Sequence, residues 1–232
     1  MTPQRAPYGR REATEPGPAG ALVPYSGETY YGEPVVKPSP YNWLVIGYLF
    51  VGGAAGSSQL LATLADLAGR GRYRTLVRAG RYLGLAGALA SPIFLIGDLH
   101  YRRRWYNMLR VFRPTSAMSI GSWTLTAFGT FSGLTAAGQL WEDLNGSSVG
   151  RRLSRLLGVP AGLAGAVMSC YTGVLLASTS TPLWASVYRL LPALFGASAA
   201  STACAALSLA VKATGGSEEG PAPEGGSIDT RA

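Results

Sequence analysis

The chain has 232 residues, of which 47% are hydrophobic and only 14% are charged, and it contains two Cys and one His. Two cysteines are too few to stabilise a disulfide-rich secreted scaffold of this length. The high apolar content argues against a disordered chain. A formal net charge of +8 would favour a nucleic-acid partner in a soluble protein. Here the long uncharged stretches favour a membrane protein with basic loops at the membrane edge, so we expect no nucleic-acid partner.

Five segments are apolar and long enough to cross a bilayer, which takes roughly 20 residues of helix. Pro182 is expected to end the fourth of them near Thr179, because proline cannot continue a helix. The sequence therefore predicts an all-α, polytopic membrane helical bundle with about five transmembrane helices. Within a transmembrane domain that spans 38–211, these helices are predicted at about 41–66, 77–98, 115–140, 154–179 and 188–211.

Both ends of the chain differ from this domain in composition. Residues 1–37 are rich in Pro, Gly and Tyr and lack the apolar core of a secretory signal peptide, so they are predicted to be disordered or extended. Residues 212–232 are predicted to form a disordered polar tail. Inside the spans, small residues recur four positions apart, as at Gly52 and Gly56, which predicts close packing between helices.

Five spans place several helix ends on the same face of the membrane. The start of the first helix, the end of the second, the start of the third and the end of the fourth share the face of the N-terminus. Lys and Arg residues are divided almost evenly between the two faces. The positive-inside rule therefore assigns no orientation to the chain.

The connection between the second and third helices carries the most unusual sequence, LIGDLHYRRRWYNMLRVFRPTSAMSIGSW at residues 95–123. It alternates aromatic and basic side chains, which is typical of an interfacial segment with aromatics at headgroup depth and arginines on phosphates. Asp98 lies near its beginning, just inside a membrane boundary. Such a carboxylate either pairs with an arginine of the same loop or belongs to a proton route, and the sequence leaves both interpretations open.

Two further clusters are predicted on the same face. The fourth helix ends in SCYTGVLLASTSTPLW, which contains Tyr171, and the first helix begins at YNWLV, which contains Asn42 and Trp43. A tyrosine in a membrane helix usually donates to a backbone carbonyl or lies at the interface. It could alternatively donate to a quinone carbonyl, because a quinone site needs an apolar slot with one or two donors. The convergence of three clusters on one face indicates a site there.

Several chemistries are disfavoured by the residues present. His100 is the only histidine, so this chain alone cannot supply two axial histidines to a haem. Cys170 and Cys204 lie within apolar spans and form no CxxC pattern, so we expect no iron–sulfur cluster and no metal site in this chain. The sequence contains no nucleotide-binding glycine motif and no convincing Ser–His–Asp arrangement.

Three blocks of the sequence resemble the NrfD/PsrC (polysulfide reductase NrfD) family of integral membrane subunits. They are YNWLVIGYLFVGGAAGSS, the segment from LIGDLH to LTAFG, and SCYTGVLLASTSTPLW, and the resemblance covers roughly residues 28–200. It implies that the first four helices form a four-helix bundle of the NrfD type. The chain looks short at its C-terminus beside family members, which typically have eight or more spans.

The resemblance also implies roles for individual residues. Family members look like quinone-binding anchors beside a ferredoxin-like subunit with 4Fe–4S clusters, often with a molybdopterin oxidoreductase subunit beyond it. By this resemblance Tyr171 lies at an exchangeable quinone or quinol, with Asn42 and Trp43 as further candidates. Asp98, in the GDL motif of the family, becomes a proton-route candidate. The iron–sulfur subunit would bind the loop at Arg102, Arg103, Arg104, Tyr106, Asn107, Arg110 and Arg113.

The expected function is that of a non-catalytic, multi-pass subunit in the cell membrane, which exchanges electrons between a quinone and a docked redox partner. An alternative of a different class is a structural or assembly protein that keeps the fold and has lost quinone chemistry. A small-solute transporter is a weaker third hypothesis, because no predicted span carries a central charged residue.

Overall fold

The structure is a computed structural model, and it describes residues 42–69, 71–99, 101–178 and 182–214. The tails predicted at 1–37 and 212–232 lie outside the described residues, except for residues 212–214. Five long helices and three short ones make up the described chain. In order, they are α1 (Trp43–Ala68), α2 (Arg74–Asp98), a 3₁₀ helix (Arg102–Arg104), α3 (Asn107–Arg110), α4 (Ala117–Asn145), α5 (Ser148–Ala177), α6 (Pro182–Ser186) and α7 (Leu191–Ala213).

Four of the long helices close into a ring. Helix α1 packs against α2 and α5, and α4 packs against the same two helices on the other side. Each member therefore has two neighbours, and their small and apolar faces meet in a common core. Helix α7 lies outside this ring and packs mainly against α1 and α5. The predicted all-α polytopic bundle, with a four-helix core built from its first four long helices, is confirmed.

Among the described residues, four helices are long and apolar enough to cross a membrane: α1, α2, α5 and α7. Helix α4, which corresponds to the third predicted span, is longer than three of these at 29 residues but is not among them, and it is rich in Ser and Thr. The hydroxyls of Ser122, Thr126, Thr130 and Thr135 donate to carbonyl oxygens four residues earlier in the same helix. These bonds satisfy the hydroxyls without water, which suits a helix at membrane depth.

The helices approach most closely where glycines face another backbone. Gly56 of α1 lies against Gly165 of α5, and a Cβ on either residue would overlap the carbonyl oxygen of the other. On α2, Gly84 faces Gln59 of α1, and a Cβ there would lie 2.9 Å from its Oε1 atom. The small residues predicted to serve packing therefore line the α1–α2 and α1–α5 contacts.

The turn between α4 and α5 is shorter than the sequence suggested. Helix α4 continues past residue 140 to Asn145, and α5 begins at Ser148 rather than near residue 154. Gly146 ends α4 in the left-handed conformation with φ 63°, and the Ser147 hydroxyl accepts a hydrogen bond from the backbone N–H of Val149. Charged residues that would have lain in a loop therefore belong to helices.

Candidate functional site

The start of α1 and the end of α2 meet in a hydrogen bond between two predicted site residues. Asn42 precedes the first turn of α1, and its Nδ2 donates to Oδ1 of Asp98, the last residue of α2, over 2.6 Å. Gly97 lies against the side chain of Leu44, so the two helix ends stay close together. The structure therefore brings a predicted quinone residue and the predicted proton-route residue into contact.

Asp98 is held by an amide and not by an arginine. Arg102, the nearest loop arginine in sequence, directs its Nε to the carbonyl oxygen of Gly97 over 3.2 Å. Within the described ranges, no Lys or Arg side chain forms an ion pair with Asp98. Of the two interpretations left open by the sequence, pairing with a loop arginine is not the arrangement seen.

Tyr171 is buried inside the ring at the same end of the bundle. Its hydroxyl donates to the carbonyl oxygen of Ala117, in the first turn of α4, over 2.8 Å. The phenol lies so close to Gly121 that a Cβ there would overlap it. Tyr48 of α1, which the sequence analysis did not select, is buried in the same region against Leu125. Tyr171 therefore donates to a backbone carbonyl, and its role at a quinone stays a prediction.

Trp43 lies on the outer surface of α1. Its side chain is 85% exposed, whereas the neighbouring Asn42 turns toward Asp98. An exposed tryptophan in the first turn of a membrane helix is typical of the aromatic belt at the interface. The structure does not bring Trp43 together with Tyr171, and its role at a quinone likewise stays a prediction.

The segment between α2 and α4 is organised around the start of α4. The Ser119 hydroxyl accepts from the backbone N–H of Arg113 over 3.0 Å, and the ring of Phe112 meets that of Trp123 edge-on with centroids 6.0 Å apart. Tyr106 and Asn107 are exposed on this segment. Five exposed arginines surround them, none paired with a carboxylate of the described chain, and we call them the arginine surface: Arg102, Arg103, Arg104, Arg110 and Arg113.

A groove of about 550 Å³ opens between α1, α5, α6 and α7. Its walls are mostly apolar, but the hydroxyls of Thr172 and Ser198 and the indole of Trp184 also line it. None of these three donors has a hydrogen-bond partner within the described chain. By contrast, Thr202, one turn beyond Ser198, donates to a carbonyl oxygen of its own helix over 3.0 Å. Free donors in an apolar groove suit a ligand that carries carbonyl oxygens on an apolar body.

The family model described as polysulphide reductase, NrfD matches residues 34–228 of the chain. The chain belongs to the NrfD family. This match confirms the resemblance seen in the sequence, and it includes every helix described above. No curated protein sequence is significantly similar to the chain. Membership in the NrfD family, together with the apolar helices, indicates a multi-pass membrane subunit of a redox complex.

A buried ion network, which was not predicted from the sequence, lies at the opposite end of this NrfD bundle. Arg81 of α2 is only 3% exposed, and its guanidinium binds Asp66 of α1 over 2.8 Å. The same guanidinium donates to Gln139 of α4 over 2.6 Å and to Ser154 of α5 over 3.1 Å. One side chain thus connects all four helices of the ring.

Two carboxylates near the end of α4 extend the network to the surface. Glu142 is buried and binds Arg74 of α2 and Arg151 of α5, the latter over 2.7 Å. Asp143 pairs with Arg78 of α2 over 2.8 Å. Four arginines at this end of the NrfD bundle are therefore paired with its own carboxylates, whereas no arginine of the arginine surface has such a partner in the described chain.

A signal for this network is present in the sequence. Arg74, Arg78 and Arg81 are spaced i, i+4 and i+7, which places them on one face of a helix. The predicted second helix begins at about residue 77 and the predicted third ends at about 140, so Arg74 and Glu142 fall outside them. With the observed boundaries, the charges of both helices face each other.

Proposed function

We propose that the chain is the membrane anchor of a quinone-linked redox complex in the cell membrane, where it binds quinone or quinol and docks an iron–sulfur subunit. The observation that carries this proposal is the groove between α1, α5, α6 and α7. In this proposal the chain holds no redox centre of its own. Electrons are exchanged with 4Fe–4S clusters of the docked subunit, which in turn serves a molybdopterin-type oxidoreductase subunit.

The groove has the chemistry that an isoprenoid quinone requires. A quinone is a flat ring with two carbonyl acceptors on a long apolar tail, so it partitions into the bilayer and enters a site from the side. The groove opens outward between helices, and its volume of about 550 Å³ is within the usual range of small-molecule sites. Thr172, Ser198 and Trp184 offer donors that match the carbonyl oxygens of the ring.

Tyr171 and Thr172 point to different sides of α5, because successive residues of a helix are turned by about 100°. Tyr171 faces α4 inside the ring, and Thr172 lines the groove toward α7. A quinone bound to Tyr171 would require its bond to the Ala117 carbonyl to open. A quinone bound in the groove requires no such change, so we favour the groove as the position of the ring.

The arginine surface supports the docking of a partner. Its five side chains are exposed, and within the described chain no carboxylate neutralises them. An uncompensated basic surface favours association with an acidic face of another protein and steers the encounter. We propose that the iron–sulfur subunit binds here, in contact with Tyr106 and Asn107.

The Asn42–Asp98 pair supplies a group for the proton step. When a quinol is oxidised to the quinone it releases two electrons and two protons, and the reverse reaction takes them up. The electrons pass to the docked subunit, and a carboxylate at the membrane edge can exchange the protons with water. We propose this role for Asp98, which is partly exposed and faces a neutral amide.

Quinone binding to the purified chain in lipid nanodiscs tests this function. The variant Thr172→Val with Ser198→Ala removes two donors from the groove and should weaken the affinity for a soluble short-chain quinone by at least tenfold, because the ring carbonyls lose their partners. The matched control is Thr130→Val, whose exposed hydroxyl donates to its own helix. Equal affinity of the groove variant and the wild type would contradict the groove as the site.

A structural or assembly role is the alternative, and the same preparation separates it. Purification of the complex should yield the iron–sulfur subunit together with bound quinone. If the partner is recovered without quinone, and added quinone does not bind, the result supports an anchor that has lost quinone chemistry. The ion network around Arg81 fits that alternative equally well, because it stabilises the bundle whatever the bundle binds.

A further inference from the structure

Several polar atoms inside the ring have no hydrogen-bond partner. Within the described chain these atoms are Nε2 and Oε1 of Gln59, Oγ of Ser91 and Oγ of Ser132, and all three side chains are fully buried. A buried amide or hydroxyl without a partner costs free energy. Inside a membrane bundle such groups cannot form hydrogen bonds with bulk water, so their hydrogen-bond partner has to lie inside the protein.

Helix register places Gln59 and Ser132 in the same layer of the bundle. Ala55 of α1, Ala88 of α2 and Phe128 of α4 belong to one cluster of buried side chains in the core. The two helices run in the same direction, because Arg81 binds residues near the ends of both. Gln59 follows Ala55 by four residues, and Ser132 follows Phe128 by four residues. Since four residues are about one helical turn, the two unpaired side chains lie one turn beyond the positions of this cluster on α1 and α4.

Gly84 of α2 forms the third side of this layer. Because it has no side chain, the amide of Gln59 can lie against the α2 backbone, where a Cβ would come within 2.9 Å of Oε1. Gln59 offers donors and an acceptor, and the Ser132 hydroxyl offers one of each. Ser91 lies elsewhere, beside Gly52, and is not part of the layer.

We propose that Gln59, Ser132 and Gly84 form an internal water site, in which at least one ordered water bridges the amide of α1 and the hydroxyl of α4. A buried water takes two to four polar partners, and the unpaired groups of this layer provide them. The site lies inside the ring, whereas the groove lies between the ring and α7. The proposal is therefore independent of quinone binding and of the docked partner.

Hydroxyl-radical labelling tests the site directly. When a protein in oxygen-18 water is irradiated with X-rays, radicals form at bound waters and label the side chains beside them. Phe128 is fully buried, yet we expect it to incorporate oxygen-18 in the wild-type chain, because it lies one turn from Ser132. The label should fall at least fivefold in the double variant Gln59→Met with Ser132→Ala. Absence of label at Phe128 in the folded wild type would overturn the proposal.

Unfolding in detergent provides a second test. Gln59→Met and Ser132→Ala should each lower the apparent unfolding midpoint, and the double variant should lower it no further than the larger single change, because both remove the same water. Ser58→Ala is the matched control, since its buried hydroxyl donates to Ala54 of its own helix and its effect should add to that of Gln59→Met. A raised midpoint in Gln59→Met would indicate a dry layer and overturn the proposal, as would additive shifts.

Discussion

The guanidinium of Arg81 lies 2.8 Å from the carboxylate of Asp66, inside a bundle where almost none of the arginine side chain is exposed. Removing two charges from water is costly, and their attraction offsets that cost only when further hydrogen bonds complete the site. Gln139 and Ser154 provide such bonds from two other helices. The loss of either charge should therefore destabilise the bundle more than the loss of any exposed arginine.

Arg81→Met should lower the free energy of unfolding by about 3–5 kcal/mol, because Asp66 would remain as a charge without its partner. Chemical unfolding in detergent, followed by tryptophan fluorescence, measures this. Arg152→Met is the control, since Arg152 is exposed and has no ion pair in the described chain, and it should change stability by at most about 0.5 kcal/mol. Adding Asp66→Asn to Arg81→Met should restore part of the loss, and failure to do so would argue against this explanation.

Gly56→Ala should lower the free energy of unfolding by about 1–3 kcal/mol, because its methyl group would overlap the carbonyl oxygen of Gly165 and push α1 from α5. Gly129→Ala in α4 is a matched control, with no atom within 4 Å of the new Cβ, and should stabilise the protein by up to about 1 kcal/mol. The same unfolding assay compares the two. Equal effects would show that the α1–α5 contact is looser than described.

Tyr171→Phe should cost about 1 kcal/mol of stability, because the Ala117 carbonyl loses its hydrogen bond. Since Tyr171 does not line the groove, quinone affinity should stay within about twofold of the wild type, which is a few tenths of a kcal/mol. Titration with a short-chain quinone measures the Kd. A tenfold loss of affinity would instead place the ring against the phenol, as the family resemblance implies.

Asp98→Asn should slow quinone-dependent turnover of the assembled complex roughly 100-fold, which is a typical contribution of a proton-transferring side chain. The amide keeps the size of the carboxyl group, so co-purification of the partner should be unchanged. Asn42→Ala removes the hydrogen bond and leaves the carboxylate, so a smaller effect is expected. Unchanged turnover in Asp98→Asn would exclude it from the proton step.

Neutralising part of the arginine surface should weaken docking. Changing Arg102, Arg103 and Arg104 together to Gln should reduce recovery of the iron–sulfur subunit. The difference from the wild type should shrink at high salt, because salt screens the charges on which wild-type docking depends. Co-purification at two ionic strengths measures this. The control changes Arg72, Arg152 and Lys212 together to Gln. It removes three positive charges at the other end of the bundle and should not affect recovery.

The sequence predicted the fold well because membrane helices are defined by long uncharged runs, which need no knowledge of tertiary contacts. It also placed Asn42 and Asp98 on one face, from the number of spans alone. Their hydrogen bond could not be predicted, because it depends on the relative height of α1 and α2. Counting the spans predicts on which face of the membrane a residue lies, but it does not predict which residues it contacts.

The groove and the ion network were harder to predict for different reasons. The donors of the groove, Thr172, Trp184 and Ser198, meet only because α7 packs against α5, and nothing in the sequence fixes that contact. The row of arginines on one face of α2 could have been predicted from their spacing, but the predicted second helix began too late to include all of them. Moving the end of α4 to Asn145 brings Glu142 onto the helix and completes the pattern.

The contact of Gly56 with Gly165 limits how far a ligand in the groove can move into the bundle. Here α1 and α5 are separated by no side chain, so at this level the two backbones close the gap between the groove side of the bundle and its interior. A molecule that enters the groove could pass between α1 and α5 at this point only by pushing apart two backbones that already touch. A large ligand therefore stays on the groove side of this contact, and the internal water site proposed above lies on the opposite side.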